Sequence, residues 1–124
     1  MWTTVVPGEL WPVNSWSVKN VKDLYAINER VITGIETVRG KMILVMVGAT
    51  NVGSMSFTFD QNIKTNNPGK KEVVHREYDN GRPIIVGNEF GTFHLGSTVV
   101  AIYEEKWGLG HLDRTAVQMG QKLL

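Results

Sequence analysis

Cysteine and net charge are the two features that this 124-residue sequence most clearly lacks. Without any cysteine the chain has no disulfide, no thiolate nucleophile and no thiolate metal ligand. Thirteen Lys and Arg residues against twelve Asp and Glu residues give a formal net charge of +1. No excess of positive charge is therefore available to neutralise nucleic-acid phosphates, and we expect no nucleic-acid partner.

Long apolar segments are also missing. No apolar run approaches the ~20 residues that cross a membrane, and the first four residues, Met-Trp-Thr-Thr, lack the basic start and apolar stretch of a secretory signal. These features predict a cytoplasmic protein. With 42% hydrophobic residues, residues 1–124 are expected to form one domain that is held together by its buried core.

Short runs of Val, Ile, Thr and aromatic residues alternate with thirteen glycines, which is typical of an all-β protein. We predict a mainly β fold: a single compact β-sandwich or barrel-like domain of short antiparallel strands. Residues 30–48 are expected to form a hairpin with Gly40 at its turn. Six consecutive apolar residues from Met42 to Val47 predict that its second strand is central and covered on both faces.

Further patterns predict strands and one loop after this hairpin. Residues 54–60 alternate between apolar and polar side chains, as expected of a half-buried strand. Residues 61–71 are polar and contain Asn-Pro-Gly, which favours a mobile surface loop. Residues 72–78 and 83–86 are expected to pair through an Asn-Gly turn, and residues 97–103 form a second β-prone run.

Histidine is scarce, and no pattern indicates a bound metal. His75, His94 and His111 have neither helical i,i+4 spacing nor a neighbouring carboxylate pattern that would complete a ligand set. Residues 48–53 begin and end with glycine but lack the Lys-Ser/Thr pair of a phosphate-binding loop. We interpret that segment as a tight connection between two strands.

The step from Gly96 to Ser97 has the residue types that a backbone N-to-O acyl shift requires. The Ser hydroxyl must reach the carbonyl carbon of the preceding residue, and glycine there has no Cβ to block the approach. Elimination from the resulting ester leaves a pyruvoyl group, an electron sink that can support decarboxylation of an amine substrate. A Gly-Ser step entering a strand is also commonly a bulge or a turn, so the tetrapeptide Leu-Gly-Ser-Thr leaves both interpretations open.

Four blocks occur in one order along the chain: residues 7–14 (Pro-Gly-Glu-Leu-Trp-Pro-Val-Asn), 28–30 (Asn-Glu-Arg), 47–54 (Val-Gly-Ala-Thr-Asn-Val-Gly-Ser) and 93–98 (Phe-His-Leu-Gly-Ser-Thr). With these blocks the sequence resembles the phosphatidylserine decarboxylase family from about Val5 to its C-terminal tail. Four linked blocks at family spacing are far more specific than any one of them.

The resemblance implies a site and a reaction. Gly96 would be the self-cleavage site, and Ser97 would become the pyruvoyl cofactor that forms a Schiff base with the substrate amine. The implied activity is decarboxylation of phosphatidylserine to phosphatidylethanolamine in phospholipid biosynthesis. A membrane surface is the implied partner, and the implied location is peripheral at the cytoplasmic membrane.

One part of the family pattern has no counterpart. The Asp and His residues that activate the Ser in the family precede the Pro-Gly-Glu block, and no residue of this sequence matches them. The chain is thus expected to be a fragment of a longer gene, one piece of a split enzyme with a complementary N-terminal chain or homo-oligomer as partner, or a decayed relative. The alternative function is a non-catalytic fragment or pseudoenzyme that binds lipid or a complementary chain.

Two local histidines are candidates for the missing base. His94 precedes Ser97 by three residues, which in an extended strand places the two side chains on opposite faces unless the chain bends. His75 would need a tertiary contact to reach Ser97.

Overall fold

The apolar runs of the sequence form strands in the computed structural model, which describes residues 1–50, 54–79, 82–95, 98–104 and 115–121. Within those residues the elements are, in chain order, β1 (Trp2–Val6), α1 (Ser15–Asn20), α2 (Leu24–Ile27), β2 (Arg30–Thr37), β3 (Gly40–Val47), β4 (Met55–Phe57), β5 (Val74–Glu77), β6 (Gly91–Phe93) and β7 (Thr98–Tyr103). The mainly β prediction is confirmed, and the two short helices are additions to it.

The strands form two antiparallel sheets. The larger sheet has the order β5-β1-β2-β3-β7, and the smaller one pairs β4 with β6. In the part of the chain that the structure describes, β5 and β7 lie at opposite edges of the larger sheet and do not meet. The predicted antiparallel strands are therefore present and form layered sheets rather than a closed barrel.

The β2–β3 hairpin turns at the predicted glycine. Thr37 pairs with Gly40 at the end of the ladder, and the Thr37 hydroxyl donates to the Gly40 carbonyl at 2.8 Å. Gly40 has a φ of +116°, a conformation that residues with a Cβ rarely adopt. This turn fixes the register in which Arg30 lies opposite Val47.

Strand β3 is central but is not covered along its whole length. It lies between β2 and β7, as its apolar run predicts. Met46 and Val47 are buried, whereas Met42 to Val45 are only half-buried among the described residues. The expectation of full cover on both faces is wrong for that stretch, because the core cluster takes in Met46 and no other residue of β3.

The core lies between one face of the larger sheet and the smaller sheet. Alternation in β4 points Met55 and Phe57 inward and leaves Ser56 exposed, as predicted. The buried cluster contains Val5, Val31, Met46, Met55, Phe57, Phe59 and Ile63. Burying each of the larger apolar side chains contributes about 1.5–3 kcal/mol, so this cluster is what joins the two sheets.

The polar segment 61–71 is not wholly a surface loop. Ile63 is only 5% exposed and belongs to the core, and the buried Thr65 hydroxyl accepts a 2.8 Å hydrogen bond from the Met55 backbone N–H. β4 pairs with β6 along one edge. Thr65 accepts a hydrogen bond from a backbone N–H of β4 that is not part of that ladder. The prediction is therefore wrong for Ile63 and Thr65, whereas residues 66–71 are exposed as expected.

Residues 83–86 do not form the predicted return strand. Ile85 and Val86 are exposed, and the segment has no strand assignment. Strand β5 is confirmed, but it pairs with β1 instead. Pro83 has no N–H to donate to a ladder, which disfavours the predicted pairing. The Asn80–Gly81 turn lies outside the described residues.

Candidate functional site

The predicted cleavage step between Gly96 and Ser97 lies outside the described residues, but the chain on both sides of it is described. On one side, Phe93 ends β6 and pairs with Met55 of the smaller sheet. On the other side, Thr98 begins β7 and pairs with Val47 of the larger sheet. Residues 94–97 therefore connect one sheet to the other.

A second connection crosses between the same two sheets. The partner strands in those two pairs, β3 and β4, are themselves joined by residues 48–54. The His94 backbone N–H donates to the Ser54 carbonyl at 3.1 Å, which ties the two connections together next to the smaller sheet. Two of the blocks noted in the sequence, 47–54 and 93–98, are thus neighbours in the fold.

Asn28 anchors the start of the 48–54 connection through a buried side-chain amide. Its side chain is completely buried and its amide makes three hydrogen bonds. The oxygen accepts from the Trp11 N–H at 3.1 Å, and the nitrogen donates to the carbonyls of Trp11 and Gly48, each at 2.9 Å. The Gly48 N–H in turn donates to the Glu29 carbonyl at 2.8 Å. One buried amide therefore joins the block at 28–30 to two others.

The 7–14 block is also fixed on the 28–30 block by its backbone. The Glu9 N–H donates to the Ile27 carbonyl and the Glu29 N–H donates to the Glu9 carbonyl, both at 2.8 Å. A Cβ on Gly8 would lie 2.4 Å from the Ile27 carbonyl oxygen, so only glycine permits this approach. In addition, the Thr50 hydroxyl donates to the Leu10 carbonyl.

These contacts collect all four blocks at one end of the larger sheet. Val6 pairs with Arg30, Arg30 with Val47, and Val47 with Thr98, so the four residues form one row across four strands. We call this edge of the sheet the junction end. The opposite end of the β2–β3 hairpin is the turn that precedes Gly40.

Glu29 is a buried carboxylate at the junction end. Its two oxygens share the Asn66 backbone N–H at 3.0 and 2.8 Å, and Asn66 has a φ of +52°. Burial raises the pKa of Glu29, and the hydrogen bond from Asn66 only partly opposes that change. Within the described part of the chain no cation forms an ion pair with this carboxylate. Glu29 therefore connects the 61–71 segment to the junction end, and burying its charged form without an ion-pair partner disfavours ionisation of the carboxylate.

The two candidate histidines have different positions. His94 lies on the 94–97 connection itself and is exposed. His75 lies on β5, where its Nδ1 is 2.7 Å from the Thr4 hydroxyl. Four strand spacings separate β5 from β7, which is about 19 Å, so His75 is out of hydrogen-bond reach of Thr98. His111 lies outside the described residues.

A separate polar cluster ties β5 to the end of the 54–60 segment. Asp60 is buried and accepts from Arg76 at 2.9 Å, Tyr78 at 2.7 Å and the Asn62 N–H at 2.9 Å. Burial favours a higher pKa for Asp60, but these hydrogen bonds and the Arg76 charge outweigh it and hold the pKa below its ordinary value. This cluster has no metal-site character: among the described residues no three His, Asp or Glu side chains lie close enough to hold a metal ion.

Sequence reasoning noted Asn28 and Glu29 only as part of a matching block and gave them no role. A signal was present, since two adjacent polar residues directly precede the apolar β2 strand and follow the apolar end of α2. Polar side chains at such a position are often buried partners of loop backbone. Their partners, Trp11, Gly48 and Asn66, are distant in sequence and became known only from the fold.

Comparison with known proteins gives one consistent family. The sequence model of phosphatidylserine decarboxylase matches residues 3–124. The chain is 40% identical over 122 residues to the phosphatidylserine decarboxylase proenzyme of Myxococcus xanthus, which covers 95% of this chain and 42% of that protein. It is 45% identical over 109 residues to the proenzyme of Anaeromyxobacter sp., covering 87% and 38%. The mitochondrial proenzyme of Pongo abelii is 37% identical over 105 residues, covering 79% and 26%.

The chain spans about two fifths of the length of the bacterial relatives it matches. None of the helices in the described residues has the length and apolar character needed to cross a bilayer.

Proposed function

Because the chain belongs to the phosphatidylserine decarboxylase family, we propose that it cleaves itself between Gly96 and Ser97 and decarboxylates phosphatidylserine to phosphatidylethanolamine. The single observation that carries this proposal is the convergence of the four blocks. The segments that make the chain resemble the family meet at the junction end, around the connection that contains Gly96 and Ser97. The convergence supports the proposal because the matched segments surround the connection on which the resemblance implies cleavage.

The surroundings of the connection favour an intramolecular acyl shift. Its flanking residues, Phe93 and Thr98, are each held in a ladder of a different sheet, and His94 is bonded through its backbone to Ser54. Fixed ends restrict the conformations open to the four residues between them, which lowers the entropy lost when a hydroxyl approaches a neighbouring carbonyl carbon.

The pyruvoyl group is made from the chain itself, so it needs no separate set of binding residues. Once formed it supplies an electrophilic carbonyl that draws electrons from the substrate. The described residues contribute position: Asn28 holds Gly48, which directly follows the strand that pairs with Thr98, and Glu29 fixes the 61–71 segment to the junction end through Asn66. His94 is the titratable side chain on the connection itself, and we propose it as the first group to test as a local base.

Intact mass under denaturing conditions tests the cleavage. The parent chain should yield a C-terminal piece of residues 97–124 that has no free amino group, and Ser97→Ala should remain whole. Ser56→Ala is the matched control, since Ser56 is an exposed serine on β4, and it should cleave like the parent. An intact parent chain, or a Ser97→Ala chain that cleaves, would contradict the proposal.

Decarboxylation is tested separately. The cleaved parent should release carbon dioxide from phosphatidylserine, and Ser97→Ala should not. If both proteins decarboxylated phosphatidylserine equally well, the assignment of Ser97 would be wrong. Phosphatidylserine is then the proposed substrate, and the proposed location is peripheral, at the cytoplasmic membrane that carries this lipid.

A non-catalytic, lipid-binding or chain-binding domain is the second candidate. The observation that favours it is the position of His75, one of the two candidate bases: it lies on β5, four strand spacings or about 19 Å from β7. This candidate predicts a single uncleaved mass together with binding to phosphatidylserine vesicles or to a complementary chain.

A further inference from the structure

A cavity of about 70 Å³ lies between the 61–71 segment and the side of the larger sheet where β5 pairs with β1. Its apolar wall consists of Val5, Pro7, Ile63 and Val74, and both Val5 and Ile63 belong to the buried core. About 10–15 Å³ of such space holds one water molecule, so the cavity has room for about five non-hydrogen atoms. That size suits a small ion and excludes a nucleotide or a lipid chain.

The polar wall of the cavity carries positive charge that has no partner. Lys64 and Lys70 line it, both are exposed, and neither ammonium has a hydrogen bond or an ion pair within the residues that the structure describes. Arg76 also lines the cavity, but its charge is already paired with Asp60 at 2.9 Å. Glu72 is the one acidic residue in the described lining, and neither lysine forms an ion pair with it. Two cations therefore remain available to an anion.

The backbone of the 61–71 segment brings the two lysines to the same cavity. The Lys70 N–H donates to the Asn67 carbonyl at 3.1 Å, and Gly69 has a φ of +89°, so the segment turns back on itself. Asn67 lines the cavity as well, and its side-chain amide has no hydrogen-bond partner among the described residues. Earlier in the segment, Thr65 and Asn66 are already bonded to β4 and to the junction end. The donors are thus placed by the fold, which reduces the entropy that a ligand must overcome to order them.

These groups fit a tetrahedral oxyanion. An ammonium has three N–H donors and no acceptor, and an amide nitrogen adds two more donors. Lysine is a common phosphate ligand because it acts as a point charge. Phosphate is one phosphorus with four oxygens, which matches the size of the cavity and lets donors approach from several directions. The apolar wall keeps water from one side of a bound anion, which strengthens its attraction to the lysines.

We propose that this cavity binds inorganic phosphate, or the phosphate group of a small soluble ester, between Lys64, Lys70 and the Asn67 amide. A bound phosphate fastens the 61–71 segment to β1 and β5 and so stabilises the folded chain. In the order β5-β1-β2-β3-β7 the cavity lies at least three strand spacings, or about 14 Å, from β7. It is therefore separate from the strand that follows the proposed cleavage step, and the inference does not depend on the proposed function.

Thermal unfolding in the presence of phosphate tests the site. Sodium phosphate replaces sodium chloride at constant pH and ionic strength, and the unfolding midpoint of the 124-residue chain should rise with phosphate concentration. The concentration dependence of the midpoint yields the Kd. Lys64→Gln and Lys70→Gln should each raise the Kd about fivefold, because each removes one charge-assisted hydrogen bond. Glu72→Gln should lower the Kd about twofold, because it removes a charge that repels the anion.

Lys71→Gln is the matched control. Lys71 is the neighbour of Lys70 in the sequence and is exposed, but it does not line the cavity. Its replacement removes the same charge from the same segment, so the general electrostatic attraction for anions falls equally in both variants. Lys71→Gln should bind phosphate within about twofold of the parent. Because the replaced side chains are exposed, circular dichroism should show all four variants folded.

Three results would overturn the phosphate site. The first is an unfolding midpoint of the parent that does not respond to phosphate. The second is equal weakening by Lys70→Gln and Lys71→Gln, which would show diffuse attraction instead of a site. The third is a Glu72→Gln chain that binds phosphate more weakly than the parent, because Glu72 would then be part of what holds the anion.

Sedimentation with phosphatidylglycerol vesicles distinguishes a lipid phosphate from a soluble one. A parent that ignored inorganic phosphate but sedimented with these vesicles, and lost that binding in Lys64→Gln and Lys70→Gln alone, would refute a site for soluble phosphate. Ser97→Ala leaves the cavity lining unchanged, so this variant should bind phosphate like the parent. Phosphate binding by an uncleaved parent refutes the self-cleavage alone, and cleavage without phosphate binding refutes the phosphate site alone.

Discussion

Replacing Asn28 with Ala tests whether one buried amide holds the junction end together. The change removes three hydrogen bonds. The bond to the Gly48 carbonyl is buried, and leaving that acceptor unpaired costs about 1–3 kcal/mol. The two bonds to the backbone of Trp11 are only partly buried, so water can replace them at about 0.5–1.5 kcal/mol each. Asn28→Ala should therefore lower the free energy of unfolding by about 2–6 kcal/mol, a large share of the ~5–15 kcal/mol of a typical domain.

Urea unfolding with linear extrapolation measures this loss. Asn20→Ala is the matched control, because the Asn20 amide donates a single exposed bond to the Trp16 carbonyl at 2.8 Å. That variant should lose about 0.5 kcal/mol or less. If Asn28→Ala and Asn20→Ala differed by less than about 1 kcal/mol, the claim that Asn28 supports the junction end would be refuted.

Asn28→Asp adds a pH dependence to the same test. The introduced carboxyl can still accept from the Trp11 N–H, but when ionised it faces the carbonyl oxygens of Trp11 and Gly48. Its pKa in the folded state should be raised, so the stability of the variant should be greatest at low pH. That stability should fall as the pH rises through the raised pKa. A variant whose stability relative to Asn28→Ala does not change with pH would contradict this geometry.

Three further predictions concern the other buried polar groups and one glycine. Burial raises the pKa of Glu29. Its contribution to stability is therefore present below the ordinary value near 4.5 and is lost as the pH rises through the folded-state pKa. Glu29→Gln should remove this pH-dependent loss, which urea unfolding between acidic and neutral pH measures. The pH dependence from Asp60 has the opposite sign, because its pKa is lowered. Its stabilisation is present above about pH 3.8 and is lost on acidification. Asp60→Asn should lower the free energy of unfolding at neutral pH by about 1–3 kcal/mol, because the bond from Tyr78 is weakened, and should make that free energy less dependent on pH in acid. Gly8→Ala should destabilise the chain in the same assay and slow self-cleavage, since its Cβ would clash with the Ile27 carbonyl; unchanged stability would show that the two segments do not make this approach.

Much of the fold could be predicted because local pattern determined it. The alternation around Phe57 indicates a strand by its side-chain period, and the unbroken apolar run ending at Val47 indicates a buried strand by its length and β-branched composition. The turn at Gly40 follows from a backbone angle that glycine adopts readily. Such features require no knowledge of distant partners.

The errors arose where a distant partner decided the outcome. Thr65 looked like a loop residue because it is polar, but it is buried by its bond to Met55. Residues 83–86 looked like a strand because they are apolar, but β5 is paired with β1 instead. Composition cannot report such partners, since a hydrogen bond between segments depends on their positions in the fold.

The sequence by itself determined the mainly β class and the family, and it predicts the cleavage step between Gly96 and Ser97, because these depend on local side-chain pattern and on ordered local blocks. Only the tertiary structure decided that the blocks meet at one end of the sheet, through Asn28, Gly48 and the row that reaches Thr98. The physical reason is that a buried backbone carbonyl must find a donor from whichever segment the strand register brings beside it. The register is a property of the paired strands together, and no single block contains it.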